Sequence, residues 1–219
     1  MSPRRTGIGG GGPTPTASAE PGASLALWDW RRSVADLYAE VRRLPPREGW
    51  EVWVTERRTL LRTHPQSPVT APERPTTELP VFPYDPTLRL VATVEAAPTR
   101  PIALPMSAGS IVPAHAFGLV HLELGGTACD LTLFWLEDYA GGVFLPFRDS
   151  TNGISTYGGG RYLLDTAKGA DLGGMRGEVV LDFNFAYHPS CAYDTAWSCP
   201  LAPTENHLPV AVEAGERVA

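Results

Sequence analysis

The sequence predicts a mainly β, α+β protein in which an antiparallel β-barrel or sandwich follows an N-terminal helical hairpin. Three observations carry that reading. Apolar residues recur at helical spacing only as far as about residue 63, and past a proline-rich stretch the period becomes two. Glycine and proline, 22 of each, point to many turns and few long helices. No helical pattern separates the later strand-like runs, so parallel crossovers are not expected.

Residues 1–23 are rich in Gly, Pro, Ser and Thr and lack periodic apolar positions, which predicts a disordered tail. A helical hairpin is predicted over 24–64. Leu27, Trp30, Val34, Leu37, Val41 and Leu44 line one face of its first helix, with Ser24 as cap and Pro45-Pro46 as the stop. The second helix runs from about Trp50 to Thr63, with Trp50, Trp53, Arg57, Leu60 and Leu61 inward and Pro65 ending it. Residues 65–86 hold seven prolines; each fixes φ and lacks an amide donor, so an extended strap is predicted.

The β domain is predicted over 87–219. "LRLVATVEA" reads as a strand, and "FGLVHLEL" with "TACDLTLFWLE" as a hairpin turning at Gly125-Gly126. "VFLPFRD", "GRYLLD", "EVVLDFN" and "LPVAVEA" read as further strands. Cys129 alternates with Leu131, Leu133 and Trp135, which places all four on the apolar face. His115 and His121 lie on or beside the same hairpin without a third ligand spaced for metal, so structural roles are predicted for both.

Charge and composition bound the function. With a net charge of −6 and no basic stripe, general affinity for nucleic acid is not expected. No run of about 18 apolar residues exists to span a membrane. Arg4-Arg5 is not followed by the apolar region of an export signal, and the predicted compartment is the cytoplasm. Three cysteines, an odd number in a chain this long, make a poor disulfide framework.

Several long motifs in order, "FLPFRDSTNG", "TYGGGRYLLDT", "LDFNFAYHPSCAY" and "SCPLAPTENHLPVAVEAGE", resemble the bacterial family known as domain of unknown function 1684. The resemblance extends upstream through "WRRSVADLYAEVR", "HPQSP" and "FPYDP", and so covers nearly everything after the tail. It implies no established activity. It also implies that the position of His188 is often asparagine, which argues against a required ligand there.

The residues themselves suggest one candidate site. Basic side chains are scarce after residue 100, yet Arg148 and Arg161 stand in the two most Gly- and aromatic-rich motifs. Arginine's planar fork suits a carboxylate or phosphate. Asp149 neighbours Arg148, Asp165 is expected on the strand face of Arg161, and Asp182 and Asn184 on one face of "VLDFN". Arg148, Arg161 and Asp182 are therefore predicted on one side of the sheet, close enough to share a partner. With Asn184 and Tyr157 they would line a pocket for a small anionic ligand, or else brace strands as internal ion pairs. In an enzyme, Asp182 or Asp149 would act as general base. Gly158, Gly159 and Gly160 do not form a phosphate loop, since no Lys-Ser/Thr follows; they suit a bend or a close backbone approach.

The stretch from Asp182 to Asn206 admits four readings. Zinc could be held by His188, Cys191, Cys199 and one of Asp194, Glu205 or His207, although the spacing matches no zinc knuckle. Cys191 and Cys199 could form a disulfide, or one of them, Cys199 among the catalytic candidates, a reactive thiolate beside His188 or His207. The favoured reading is a cover loop over 185–206. In it Tyr187, Tyr193 and Trp197 pack on the sheet, while Asp194, Glu205 and Asn206 satisfy loop amides.

No cofactor motif is present. Two functions compete: an anionic-ligand pocket, with or without catalysis, and a non-enzymatic module whose Trp-rich hairpin docks a partner or a second copy of the chain. An exposed Trp50/Trp53 face would favour the second.

Overall fold

The structure is a computed structural model and describes residues 21–137 and 141–218. The predicted tail lies outside the described residues up to residue 20. Pro21–Ala23 already belong to the first helix, α1 (Pro21–Val41), so Ser24 is not its cap. The second helix, α2 (Pro46–Thr63), starts earlier than predicted because Pro46 occupies its first turn, where the missing amide costs nothing. The strap that follows carries one short 3₁₀ turn and a single bridge at Val81.

Seven strands follow: β1 (Arg89–Thr93), β2 (Glu95–Pro105), β3 (Ile111–Leu124), β4 (Thr127–Leu136), β5 (Gly142–Phe147), β6 (Arg161–Asp165) and β7 (Glu178–Asp182). Every ladder is antiparallel. β2-β3-β4-β5-β6 form one open sheet and β1-β7 a separate ribbon, so the arrangement among the described residues is layered and not a closed barrel.

Two departures from the predicted strands have physical causes. β2 was not foreseen, because "EAAPTRPIALP" carries three prolines; it is tolerated as an edge strand with a register shift between Ala96 and Arg100. "LPVAVEA" is not a strand. Its burial alternates, with Leu208, Val212 and Ala214 inside, and its backbone meets Arg148 and Ser150 just past β5 through two bonds, Leu208 N to Arg148 O (2.7 Å) and Ser150 N to Val210 O (3.1 Å).

Apolar clusters fill both faces of the large sheet. On one face Val34, Leu37, Tyr38, Val41 and Trp53 of the helices pack against Phe134, Phe144 and Tyr162. On the other, Ala92, Leu181 and Phe183 from the ribbon side cover Val120, Leu131, Leu145 and Phe147. A bulge at Phe117 moves the buried, even-numbered residues of β3 from one face of the sheet to the other, so Ala114 and Ala116 face the helices while Val120, Leu122 and Leu124 contribute to the other core. Cys129, Leu131 and Leu133 are buried as predicted, but Trp135 is 46% exposed, since β4 outruns its cover there. Gly125 and Gly126 both take positive φ, the geometry of a two-residue hairpin turn.

Candidate functional site

The predicted convergence of Arg148, Arg161 and Asp182 does not occur. Arg161 is fully buried and meets the equally buried Asp149 at 3.4 Å. Its terminal nitrogens also donate to the carbonyls of Val212 (2.8 Å), Ala214 and Glu216 (3.2 Å), while Phe147 covers one face of the guanidinium. Burial pulls its pKa down to about 10, with Asp149 opposing, so it stays charged at neutral pH. Asp149 in turn accepts from the Thr151 hydroxyl (2.8 Å) and the Val212 amide (2.6 Å). Between them these two side chains satisfy the Val212 amide and the carbonyls of Val212, Ala214 and Glu216, while Gly215 O and Glu216 N bond the backbone of Phe82 and Ala186. Asp165 is not on their face. An extra residue at Leu163 shifts the β5–β6 register, and Asp165 pairs with Lys168 at 2.6 Å.

Asp182 pairs instead with Arg89, its cross-strand neighbour, at 3.2 Å. The strand ends at Asp182, and its carboxylate caps the following 3₁₀ turn by accepting from the Asn184 amide at 3.0 Å. Asn184 therefore does not continue the strand face. Its side chain pairs both backbone groups of Asp85, at 2.8 and 2.7 Å. Asn206 does the same for Thr132, at 2.8 and 2.9 Å, and adds a donation to Pro146 O. Arg148 joins no ion pair among the described residues, and its buried Nε has no hydrogen-bond partner. Tyr157 stands elsewhere again, its hydroxyl 3.6 Å from Cys191 Sγ. Gly160 bears out the close-approach reading: φ is +97° and a Cβ would lie 2.5 Å from Phe147 O.

A cavity of about 50 Å³ lies between the helical hairpin and the loop over 185–206, lined in part by Tyr38, Arg57, Lys168, Tyr187, His188 and Tyr193. α2 carries Arg57 inward, and its guanidinium stacks over Tyr187 at 4.7 Å. Arg57 Nε donates to Glu216, which is 1% exposed. Burial disfavours both charges, but each outweighs that cost for the other: the Arg57 pKa is raised and the Glu216 pKa lowered. The other Glu216 oxygen accepts from the His188 amide (2.6 Å) and the Tyr193 hydroxyl (2.9 Å). The terminal nitrogens of Arg57 have no carboxylate or carbonyl acceptor among the described residues; the Tyr193 hydroxyl alone stands beside them. Burial depresses the His188 pKa to about 4, so the ring is neutral. Nε2 accepts from Tyr157 N at 3.2 Å, and Nδ1 faces Glu216 at 3.6 Å.

This site was only half visible in the sequence. Arg57 on an otherwise apolar helix face was the signal, whereas nothing in the last residues marked Glu216. In the loop over 185–206 Tyr187 is buried, Tyr193 and Trp197 are half-buried, and Asp194 accepts from the Ala196 amide at 2.8 Å. Glu205 pairs with Arg100, and Asn206 serves strands β4 and β5, so neither satisfies the loop. Cys191 and Cys199 are adjacent free thiols, the Cys191 amide donating to Cys199 Sγ at 3.3 Å. Among the described residues no three His, Cys, Asp or Glu side chains are grouped to hold a metal ion, and His207 is exposed, away from such a role. No helix there is long and apolar enough to cross a membrane.

Residues 76–217 match the family model described as "Protein of unknown function (DUF1684)". The chain belongs to the DUF1684 family. Among solved structures, an uncharacterised protein of Haloarcula marismortui, determined by NMR in solution, is 35% identical with a TM-score of 0.56. That match covers 79% of this chain and 96% of the other. No curated protein matches the chain. The resemblance drawn from the motifs is thus confirmed over residues 76–217, and the chemistry of this DUF1684 protein rests on its own residues.

Proposed function

We propose that this DUF1684 protein binds a small anionic molecule, not at the strand motifs around Arg161 but in the cleft over Arg57. One observation carries the reading: Arg57, largely buried and held by Glu216 through Nε, lines a cavity of about 50 Å³, and among the described residues only the Tyr193 hydroxyl stands beside its remaining donors. A guanidinium committed only to a brace would spend both nitrogens of its fork on the carboxylate. The cavity's 50 Å³ takes one carboxylate-sized group, and a larger ligand would meet Lys168, a half-exposed part of the lining. Binding is a better reading than acid–base catalysis. Glu216 is locked by Arg57, His188 N and Tyr193, and Nε2 of the His188 ring already accepts from Tyr157 N. The docking alternative loses its main support, since Trp53 is fully buried and Trp50 half-buried against Tyr84.

The test is calorimetric titration of the full chain with acetate, benzoate and inorganic phosphate. E216Q keeps the fork and is expected to bind at least as tightly as wild type. The R57Q/E216Q double variant removes both buried charges together and is expected to fold but lose binding. Equal binding by the double variant, or no heat from any of the three anions, overturns the proposal.

A further inference from the structure

We propose that Cys191 and Cys199 form a dithiol site that exchanges with small disulfides, closing reversibly into an intrachain disulfide. The inference does not depend on the Arg57 cleft. It begins with the fold of the cover loop. A 3₁₀ turn over Ser190–Ala192 and a turn at Asp194–Trp197 double the chain back, bringing together residues eight positions apart. Ser107, on the loop after β2, anchors the return: its amide donates to Cys199 O (2.9 Å) and its hydroxyl accepts from Cys199 N (3.0 Å). The Cys191 amide then reaches Cys199 Sγ at 3.3 Å, which places the two side chains within bonding reach. Cys129 is excluded, since it sits in the core on the ribbon side of the sheet.

The two sulfurs are not equivalent. Hydrogen bonding from Cys199, helped by the hydroxyls of Ser107 and Tyr157, outweighs burial and pulls the Cys191 pKa down to about 6. The same contact, with burial, pushes Cys199 up. With the Tyr157 hydroxyl 3.6 Å from its sulfur, Cys191 is assigned as the attacking thiolate and Cys199 as the resolving thiol. Both are buried, but the loop's tip at Thr195 and Ala196 is exposed, and the co-reactant is a small molecule.

In the first step the Cys191 thiolate attacks one sulfur of a disulfide RSSR; the S–S bond breaks, one RS⁻ leaves, and a mixed disulfide remains on Cys191. Cys199 then attacks Cys191 Sγ, and a second RS⁻ leaves. The two departing thiolates take up the protons of Cys191 and Cys199. The protein dithiol is oxidised by two electrons, and RSSR is reduced to two RSH.

The experiment is incubation of the reduced, full-length protein with glutathione disulfide under native conditions, followed by alkylation and peptide mass spectrometry. The free-thiol count should fall from three to one, with Cys191 linked to Cys199 and Cys129 untouched. In folded C199S, glutathione should remain trapped on Cys191. If all three thiols survive excess glutathione disulfide until the protein is denatured, or the mapped bridge includes Cys129, the proposal fails. A folded C199S without an adduct on Cys191 overturns it equally. Should C199S not fold, the wild-type mapping decides alone.

Discussion

Arg161 and Asp149 meet at 3.4 Å with neither side chain exposed, and between them they serve the backbone of the C-terminal segment at Val212, Ala214 and Glu216. At Val212 and Ala214 the pair supplies backbone bonds that a neighbouring strand would supply in a sheet, and at Glu216 it adds to the bridge with Val81. Asp149, a general-base candidate in the sequence, and Arg161, a candidate ligand contact, are thereby committed to holding the C-terminal segment against the core.

Replacing Arg161 with Leu strands the Asp149 charge and leaves three carbonyls without their donor. Breaking a buried pair by removing one partner costs about 3–5 kcal/mol. R161L is therefore expected to lose at least about 3 kcal/mol in urea unfolding. A loss under about 1 kcal/mol would show that the network is dispensable.

Asn206 is fully buried and occupies the place beside Thr132 that β5, paired to β4 only at Phe134–Leu136, does not reach. N206A leaves the Thr132 amide, the Thr132 carbonyl and the Pro146 carbonyl unsatisfied, at about 1–3 kcal/mol for a buried polar group. N206D keeps an acceptor for the amide but has no donor for either carbonyl. Both variants should lower the denaturant midpoint, with N206D no better than N206A. Recovery by Asp would show that the carbonyl bonds contribute nothing.

His188 makes stability depend on pH. Its folded pKa of about 4 lies below the ordinary 6.5, mainly because burial disfavours the charged ring. The unfolded chain therefore binds the proton more readily, and stability falls as pH drops from about 6.5 through 4. The loss over that window is roughly 3 kcal/mol. The check is unfolding free energy against pH for wild type and H188N, whose amide oxygen can still accept from Tyr157 N. H188N should flatten the slope, and an unchanged slope would place the acid sensitivity elsewhere.

How much was legible follows from the range of the forces involved. The helices, the strap and the Gly125-Gly126 hairpin were readable because periodicity, proline and positive φ act locally. β2 was hidden by prolines that only an edge position tolerates, and "LPVAVEA" looked like a strand because burial alternates even where side chains replace the ladder. Single-residue bulges at Phe117 and Leu163 reversed facing in ways that an alternating pattern does not announce. The same holds for the sites. Arg57 was visible as an inward arginine, but its pairing with Glu216, 159 positions away, is a product of the fold.

Gly215 sits where these networks join, between Ala214, whose carbonyl takes Arg161, and Glu216, which takes Arg57. Its φ is +73°, and a Cβ there would stand 2.3 Å from Ala186 O and 2.8 Å from Phe183 O. Both obstacles are backbone, so no side-chain rotation relieves them. Gly125 shares the left-handed conformation but has nothing within 4 Å of its Cβ position. Alanine at Gly125 should therefore cost only the conformational penalty, roughly 1–2 kcal/mol. Alanine at Gly215 should cost that and the displacement of a segment that anchors two buried arginines, about 4 kcal/mol or more. The comparison separates the two effects, because both variants make the same chemical change. Equal midpoints for G125A and G215A in urea would mean that the C-terminal segment yields freely, and that Arg161 and Arg57 do not hold it in place.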